Sequence, residues 1–369
     1  MSRARAQLAL VLIGALLLAL FPLVAEKFYL QLVTKIMILA IFTLSLDLLV
    51  GYTGLVSLGH AAYAGLAAYS LALAAAGVDV PDLWLTLLLA LAASACAALV
   101  IGALVVRTSG VYFIMVTLAF AQMVYYFFHD TRVAGGSDGI YVNARPETHL
   151  PGVDLGNDGH FYYLVLLLLA ASYVLLRVVL QSPFGRALRG IKVNEQRMRA
   201  LGFDVFRYKL GAFVLAGTIA GLAGYLIAAK EGYVNPELLA WHQSGTVLMM
   251  LILGGVGTLV GAIIGAFSYV LLQEWFSSLT RHWQLLMGCF IVGAVLLMPE
   301  GIAGLPRTVR RWRSDRRFFR YRQPATGLAP HADVGAATAG EPAPLDASAT
   351  RAETAPLSTS ASAQRPLTR

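Results

Sequence analysis

Residues 182–209 read SPFGRALRGIKVNEQRMRALGFDVFRYK, a basic amphipathic stretch set between long apolar runs at 160–180 and 210–230. Its bases are Arg186, Arg189, Lys192, Arg197, Arg199, Arg207 and Lys209, against the acids Glu195 and Asp204. An excess of Lys and Arg marks the loops that stay on the cytoplasmic side of a membrane. The stretch therefore orients the chain. It is also more than a plain connection between two spans needs, which points to a docking surface for a cytoplasmic partner.

Working outward, the 369-residue chain is 58% hydrophobic and 13% charged, with a mean hydropathy of +0.69. That balance is far too apolar for a soluble globular domain and predicts an all-α, polytopic membrane protein. Crossing the hydrocarbon core takes about 20 apolar residues. Such runs fall at 7–25, 30–50, 83–106, 111–129, 160–180, 210–230 and 282–298. Two regions are less regular: 52–76 carries Gly54 and Gly59, and 237–276 is too long for one helix and is interrupted by Gly254-Gly255-Val256-Gly257. With 182–209 inside, the loop 130–159 lies outside, in keeping with Asp130, Asp138, Glu147, Asp154 and Asp158 against Arg132 and Arg145. Splitting 237–276 at Gly254–Gly257 yields about ten transmembrane or half-spanning helices, both termini cytoplasmic, and brings the basic cluster Arg307–Arg322 inside. Arg3 and Arg5 precede the first run with no small-residue cleavage site before Glu26, as expected of a retained helix. The expected organisation is a transmembrane domain over 1–305, a basic juxtamembrane segment over 306–322 that anchors topology or meets anionic lipid, and a disordered cytoplasmic tail over 323–369.

Several function classes are excluded. The net charge of +8 collects in the basic stretch and in Arg307–Arg322, where it sets orientation, so no nucleic-acid role is expected. The sequence has no G-x-x-x-x-G-K-[ST] or H-E-x-x-H motif, so no enzymatic or nucleotide-hydrolysing activity is expected of this chain. Cys96 and Cys289 lie in apolar runs and read as small core residues, with neither a disulfide nor a metal site indicated.

The glycines are the stronger signal, because a residue without a side chain lets helices touch or break beside a permeating solute. Gly51-Tyr-Thr-Gly54-Leu-Val-Ser57-Leu-Gly59-His60 resembles Gly254-Gly255-Val-Gly257-Thr-Leu-Val-Gly261, a weak internal repeat of the kind that parallel duplication leaves in transporters. Gly51, Gly54, Ser57, Gly59, His60, Gly254, Gly255, Gly257 and Gly261 are the candidate wall of a translocation path. Helix packing, with His60 a satisfied core histidine, is the competing reading. Asp47 sits four residues before Gly51, where an intramembrane carboxylate costs about 2.5–3.5 kcal/mol on insertion scales. It is either ion-coupling or structural. Ala134-Gly135-Gly136-Ser137-Asp138-Gly139 reads as an external turn or as a contact for a solute or partner.

Four motifs in order, G51YTGLVSLGH60, G135GSDG139, S182PFGRALR189 and L253GGVGTLVG261, resemble the M-type permease subunits of bacterial branched-chain amino-acid ABC importers over residues 30–305. The resemblance implies an inner-membrane subunit translocating leucine, isoleucine and valine, with urea or other amino acids as alternative cargo. It implies a second homologous permease, two cytoplasmic ATPase subunits that bind the ATP, and a periplasmic solute-binding protein as partners, within membrane lipid. No cofactor is expected on this chain. It also implies that 182–209 is the coupling loop: Gly185 and Arg186 open it, a short helix from Asn194 and Glu195 to Gly202 seats on an ATPase, Arg189 contributes, and Tyr208 leads into the next span. Arg197 and Met198 depart from the small residues usual in that family before the glycine.

Overall fold

A computed structural model of the chain describes residues 13–304 apart from 24–25, 77–79, 143–144, 149–153 and 299–300. The segments 306–322 and 323–369 and the start of the first apolar run lie outside the described residues. In chain order the helices are α1 (Ile13–Leu23), α2 (Lys27–Asp47, continued by a π turn over Leu48–Thr53), α3 (His60–Ala75), α4 (Leu83–Val105), α5 (Val111–Asp130), α6 (Asp158–Gln181), α7 (Pro183–Val193), α8 (Glu195–Ala200), α9 (Val205–Glu231), α10 (Trp241–Gly254), α11 (Leu259–Leu279) and α12 (Trp283–Leu297). Among the described residues seven helices are long and apolar enough to cross a membrane, and α1, α3 and α10 are shorter. The reading of about ten spanning or half-spanning helices holds.

Short polar side chains set where helices begin. The Asp82 carboxylate accepts from the amides of Trp84 (2.7 Å) and Leu85 (3.3 Å) to start α4. Ser182 with Pro183 behind it starts α7, and Asn194 starts α8 by accepting from Arg197 N at 2.9 Å.

α2 and α9 form the centre of the bundle. Their most apolar windows are 83% and 72% buried, against 22% for α5 and 12% for the window that includes α12, so the latter two lie on the periphery. α9 reaches the centre because Gly217, Gly221 and Gly224 line one face. A methyl at Gly224 would fall 2.6 Å from the Ala64 Cα in α3, and methyls at Gly217 and Gly221 would strike Ala98 and Ser94 in α4. Small residues let membrane helices pack by direct backbone contact where no hydrophobic force drives them together. Outside the helices, β1 (Ile140–Tyr141) pairs antiparallel with β2 (Tyr233–Val234), Ile140 opposite Val234. The Gly135–Gly139 string is a turn that holds these strands, with Tyr233 donating to the Asp138 carbonyl at 2.6 Å.

Within the basic stretch the short helix expected after Asn194 is α8, preceded by α7, and Val205–Lys209 opens α9. Region 52–76 is irregular as expected: the π turn ends at Thr53 and α3 starts only at His60. One expectation needs correction. Cys96 and Cys289 are exposed on the helix surfaces rather than in the core, because an apolar run in a membrane protein faces lipid as readily as protein.

Enlarging the α9 face tests this packing. Gly224→Val should lower the stability of the purified chain by about 1–3 kcal/mol through overpacking, whereas Gly288→Ala, at a position open to space, should leave the thermal midpoint unchanged.

Candidate functional site

The two glycine motifs meet. α2 ends where its α-helix loosens into the π turn and Gly54 adopts a left-handed conformation, φ +77°. α10 ends at Gly254, and the chain turns through Gly255 and Gly257, φ +118° and +80°, before α11. These conformations disfavour any residue with a Cβ. At the crossing a methyl on Gly51 would lie 2.7 Å from Gly257 Cα, and one on Gly254 would lie 2.8 Å from Gly265 Cα. Gly261 and Gly301 close against the same break.

Two side chains hold the crossing. Fully buried Asp47 accepts the Gly257 amide on Oδ1 at 2.7 Å. Lys192, at the end of α7, donates to the Gly51 carbonyl at 2.6 Å, its stem passing Gly54. The basic stretch is thus bonded to the peptide unit that touches the second break.

Ser57, Gly59 and His60 form a separate cluster at the start of α3. His60 Nε2 lies 2.9 Å from Ser45 Oγ, with its ring between Phe42 and Tyr63. The Ala61 amide donates to Ser244 Oγ at 2.8 Å, and a methyl on Gly59 would strike the Thr117 carbonyl. His60 Nδ1 and Asp47 Oδ2 are buried without a hydrogen-bond partner among the described residues. Of the nine path residues, Gly51, Ser57, Gly59, His60, Gly254, Gly255 and Gly261 are buried, Gly257 is partly buried and Gly54 is exposed. Among the described residues no cluster of His, Cys, Asp or Glu is arranged to hold a metal ion.

In the basic stretch the residues have different tasks. Gly185 is buried against Val179 and Leu180, and Arg189 donates to the Leu180 carbonyl at 2.7 Å, closing the end of α6. Asn194 caps α8. Glu195 bonds Arg199 at 2.5 Å and the buried Lys209 at 2.6 Å, fastening α8 to α9. Burial raises the Glu195 carboxyl, but the hydrogen bonds and charges of Lys209 and Arg199 outweigh it and hold the group below the usual Glu value. Gly202 turns the chain at φ +84°, and Tyr208 stacks on Phe184. Of the two unusual residues, Met198 packs inward on Gly190 while Arg197 is exposed. Arg186 is exposed as well.

Sequence reading missed Lys192 as a site residue, along with Ser45, Ser244 and Gly301. Lys192 had a signal, since it lies seven residues after Gly185 and four after Leu188, in helical phase with two buried residues of α7. The other three are joined to the site only by tertiary packing.

Residues 28–298 match the family described as the permease component of branched-chain amino acid transport systems. The chain belongs to that family. It is 30% identical to the high-affinity branched-chain amino acid transport system permease protein LivM of Salmonella typhimurium, over 78% of this chain and 72% of that protein. The LivM protein of Escherichia coli K12 is 29% identical over 81% and 75%. The xylose transport system permease protein XylH of Escherichia coli K12 is 30% identical over 37% of this chain and 34% of its own length. No solved structure matches. Family membership makes this chain a multi-pass transport permease, and the glycine crossing lies within the matched region.

Asp47→Ala should destabilise the chain by about 1–3 kcal/mol, the cost of leaving a buried amide unbonded. Asp47→Asn, which keeps the acceptor and removes a buried charge, should match or exceed the parent in thermal unfolding. For Glu195 the folded-state value is depressed, so its contribution is present above the ordinary Glu value of 4.5 and disappears as pH falls beneath it. A stability difference between the parent and Glu195→Gln should be constant at neutral pH and vanish in acid.

Proposed function

We propose that this chain is a membrane-spanning subunit of an ATP-driven importer of branched-chain amino acids in the bacterial inner membrane, with both termini cytoplasmic. It works beside a second homologous permease, two ATPase subunits that bind and hydrolyse ATP, and a periplasmic binding protein that delivers leucine, isoleucine or valine. This chain holds no cofactor. The observation that carries the reading is the match to the branched-chain amino acid permease family over residues 28–298.

The geometry supports a coupling role for α7 and α8. Both lie outside the spans, both are pinned at several points, and Lys192 ties α7 to the Gly51–Gly257 crossing. A push on α7 by a closing ATPase reaches two packed helix groups through hydrogen bonds rather than through a flexible linker. The glycine surfaces around Gly51, Gly54, Gly254, Gly255, Gly257 and Gly261 let those groups shift while staying in contact, and Ser57, Gly59 and His60 brace the start of α3 beside them. The Asp47 bond to Gly257 supports a packing role for that carboxylate rather than ion coupling.

Arg189 closes α6 and Glu195 fastens α9, so their substitution disturbs the chain itself. Arg186 is exposed and gives the cleaner test. Arg186→Glu should reduce co-purification of the ATPase subunits about tenfold with an unchanged thermal midpoint of the isolated chain; unchanged assembly removes the docking assignment. In proteoliposomes holding all subunits, ATP-dependent uptake of leucine should exceed that of a polar amino acid and of urea. Uptake of urea or a polar amino acid in its place, or flux through this chain alone, would overturn the reading.

A further inference from the structure

At the level where α4 ends and α9 begins, a cavity of about 490 Å³ opens between the α4–α5 connection and α8. Its charged lining is Arg107, Arg199, Lys209 and Glu195, with Thr108, Ser109 and Gln196 beside them, so three bases face one carboxylate. Glu195 is engaged by Arg199 and Lys209. Arg107 lies over the Phe206 ring, 5.5 Å from its centre, and has no carboxylate partner among the described residues. The cavity therefore holds an excess of positive charge with hydroxyls beside it, the donor set that receives a phosphate.

Its position selects the source of that phosphate. Arg107 follows one membrane-spanning helix, Ser109 precedes a second, and Lys209 lies in the first turns of a third. The cavity is thus at headgroup depth in the leaflet on the side of residues 182–209. The helix surfaces running from it toward the membrane interior are apolar and uncovered: Leu104 is 55% exposed, Val111 65% and Tyr112 76%. A soluble anion has no use for such a surface, whereas acyl chains do. Basic pockets between membrane helices are known to take anionic headgroups.

We propose that this cavity binds the phosphodiester headgroup of an anionic glycerophospholipid, with Arg107 and Arg199 on the phosphate and the acyl chains along α4 and α5. A lipid held there touches both α8 and the α4–α5 connection, so it bridges the basic stretch to the outer helices.

The full-length chain, stripped of lipid in detergent and titrated with phosphatidylglycerol or phosphatidylcholine, can be read by native mass spectrometry. One phosphatidylglycerol should be retained in preference to phosphatidylcholine. Arg107→Gln should lower that preference about fivefold, Arg107→Lys should keep most of it, and Arg132→Gln, on the opposite side of the membrane domain, should leave it unchanged. Equal retention of the two lipids by the parent chain, or an unaltered preference in Arg107→Gln, overturns the proposal. Displacement of the lipid by millimolar inorganic phosphate would assign the cavity to a soluble anion and overturn it too.

Discussion

Inside a bilayer, peptide groups released by a broken helix find no water, so a break is stable only where the protein supplies the missing partners. In this chain two breaks supply each other. Asp47, from the last turn of α2, receives the Gly257 amide, and the Gly51 carbonyl receives Lys192. The two glycines can meet because neither carries a side chain. The central position of α2 and the kinked path from α10 into α11 follow from that contact. A side chain at Gly51 would open the crossing and expose both hydrogen bonds at once.

The basic stretch is a rigid body because its own charges restrain it. Arg189 serves the end of α6, Lys209 and Arg199 serve Glu195, and Lys192 serves Gly51. What remains outward is Arg186 and Arg197 on the helices, with Arg207 in an exposed ion pair with Asp204. Charge alone therefore does not distinguish a docking residue from a structural one in such a segment; the hydrogen-bond partner does. The same division explains why Met198 is compatible with a coupling element, since its sulfur packs on Gly190 and not on a partner.

Much of this fold was legible from periodicity and charge. Long apolar runs, the break at Gly254–Gly257 and the joint of the basic stretch all appear near where hydropathy puts them. The site was legible in part. The glycine motifs were visible as motifs, and Gly51, Gly254, Gly255, Gly257 and Gly261 do come together, but Ser57, Gly59 and His60 sit separately at the start of α3, where His60 meets Ser45 and the next amide meets Ser244. Nothing in a run of small residues says which helix each face will meet. Burial was the least legible property, as Cys96 and Cys289 show, because lipid and protein core accept the same apolar side chains.

The sequence by itself determined that the chain is a helical membrane protein of about ten spanning or half-spanning helices, interrupted by a basic amphipathic element, since hydropathy and the Lys and Arg bias act locally along the chain. Only the tertiary structure decided that Lys192 reaches Gly51, that Asp47 bonds Gly257, and that Arg107, Arg199 and Lys209 line one cavity. Those groups lie far apart in the chain. Their pairing depends on how closely helices approach, which is a property of shapes fitting in three dimensions and has no signature in any one segment.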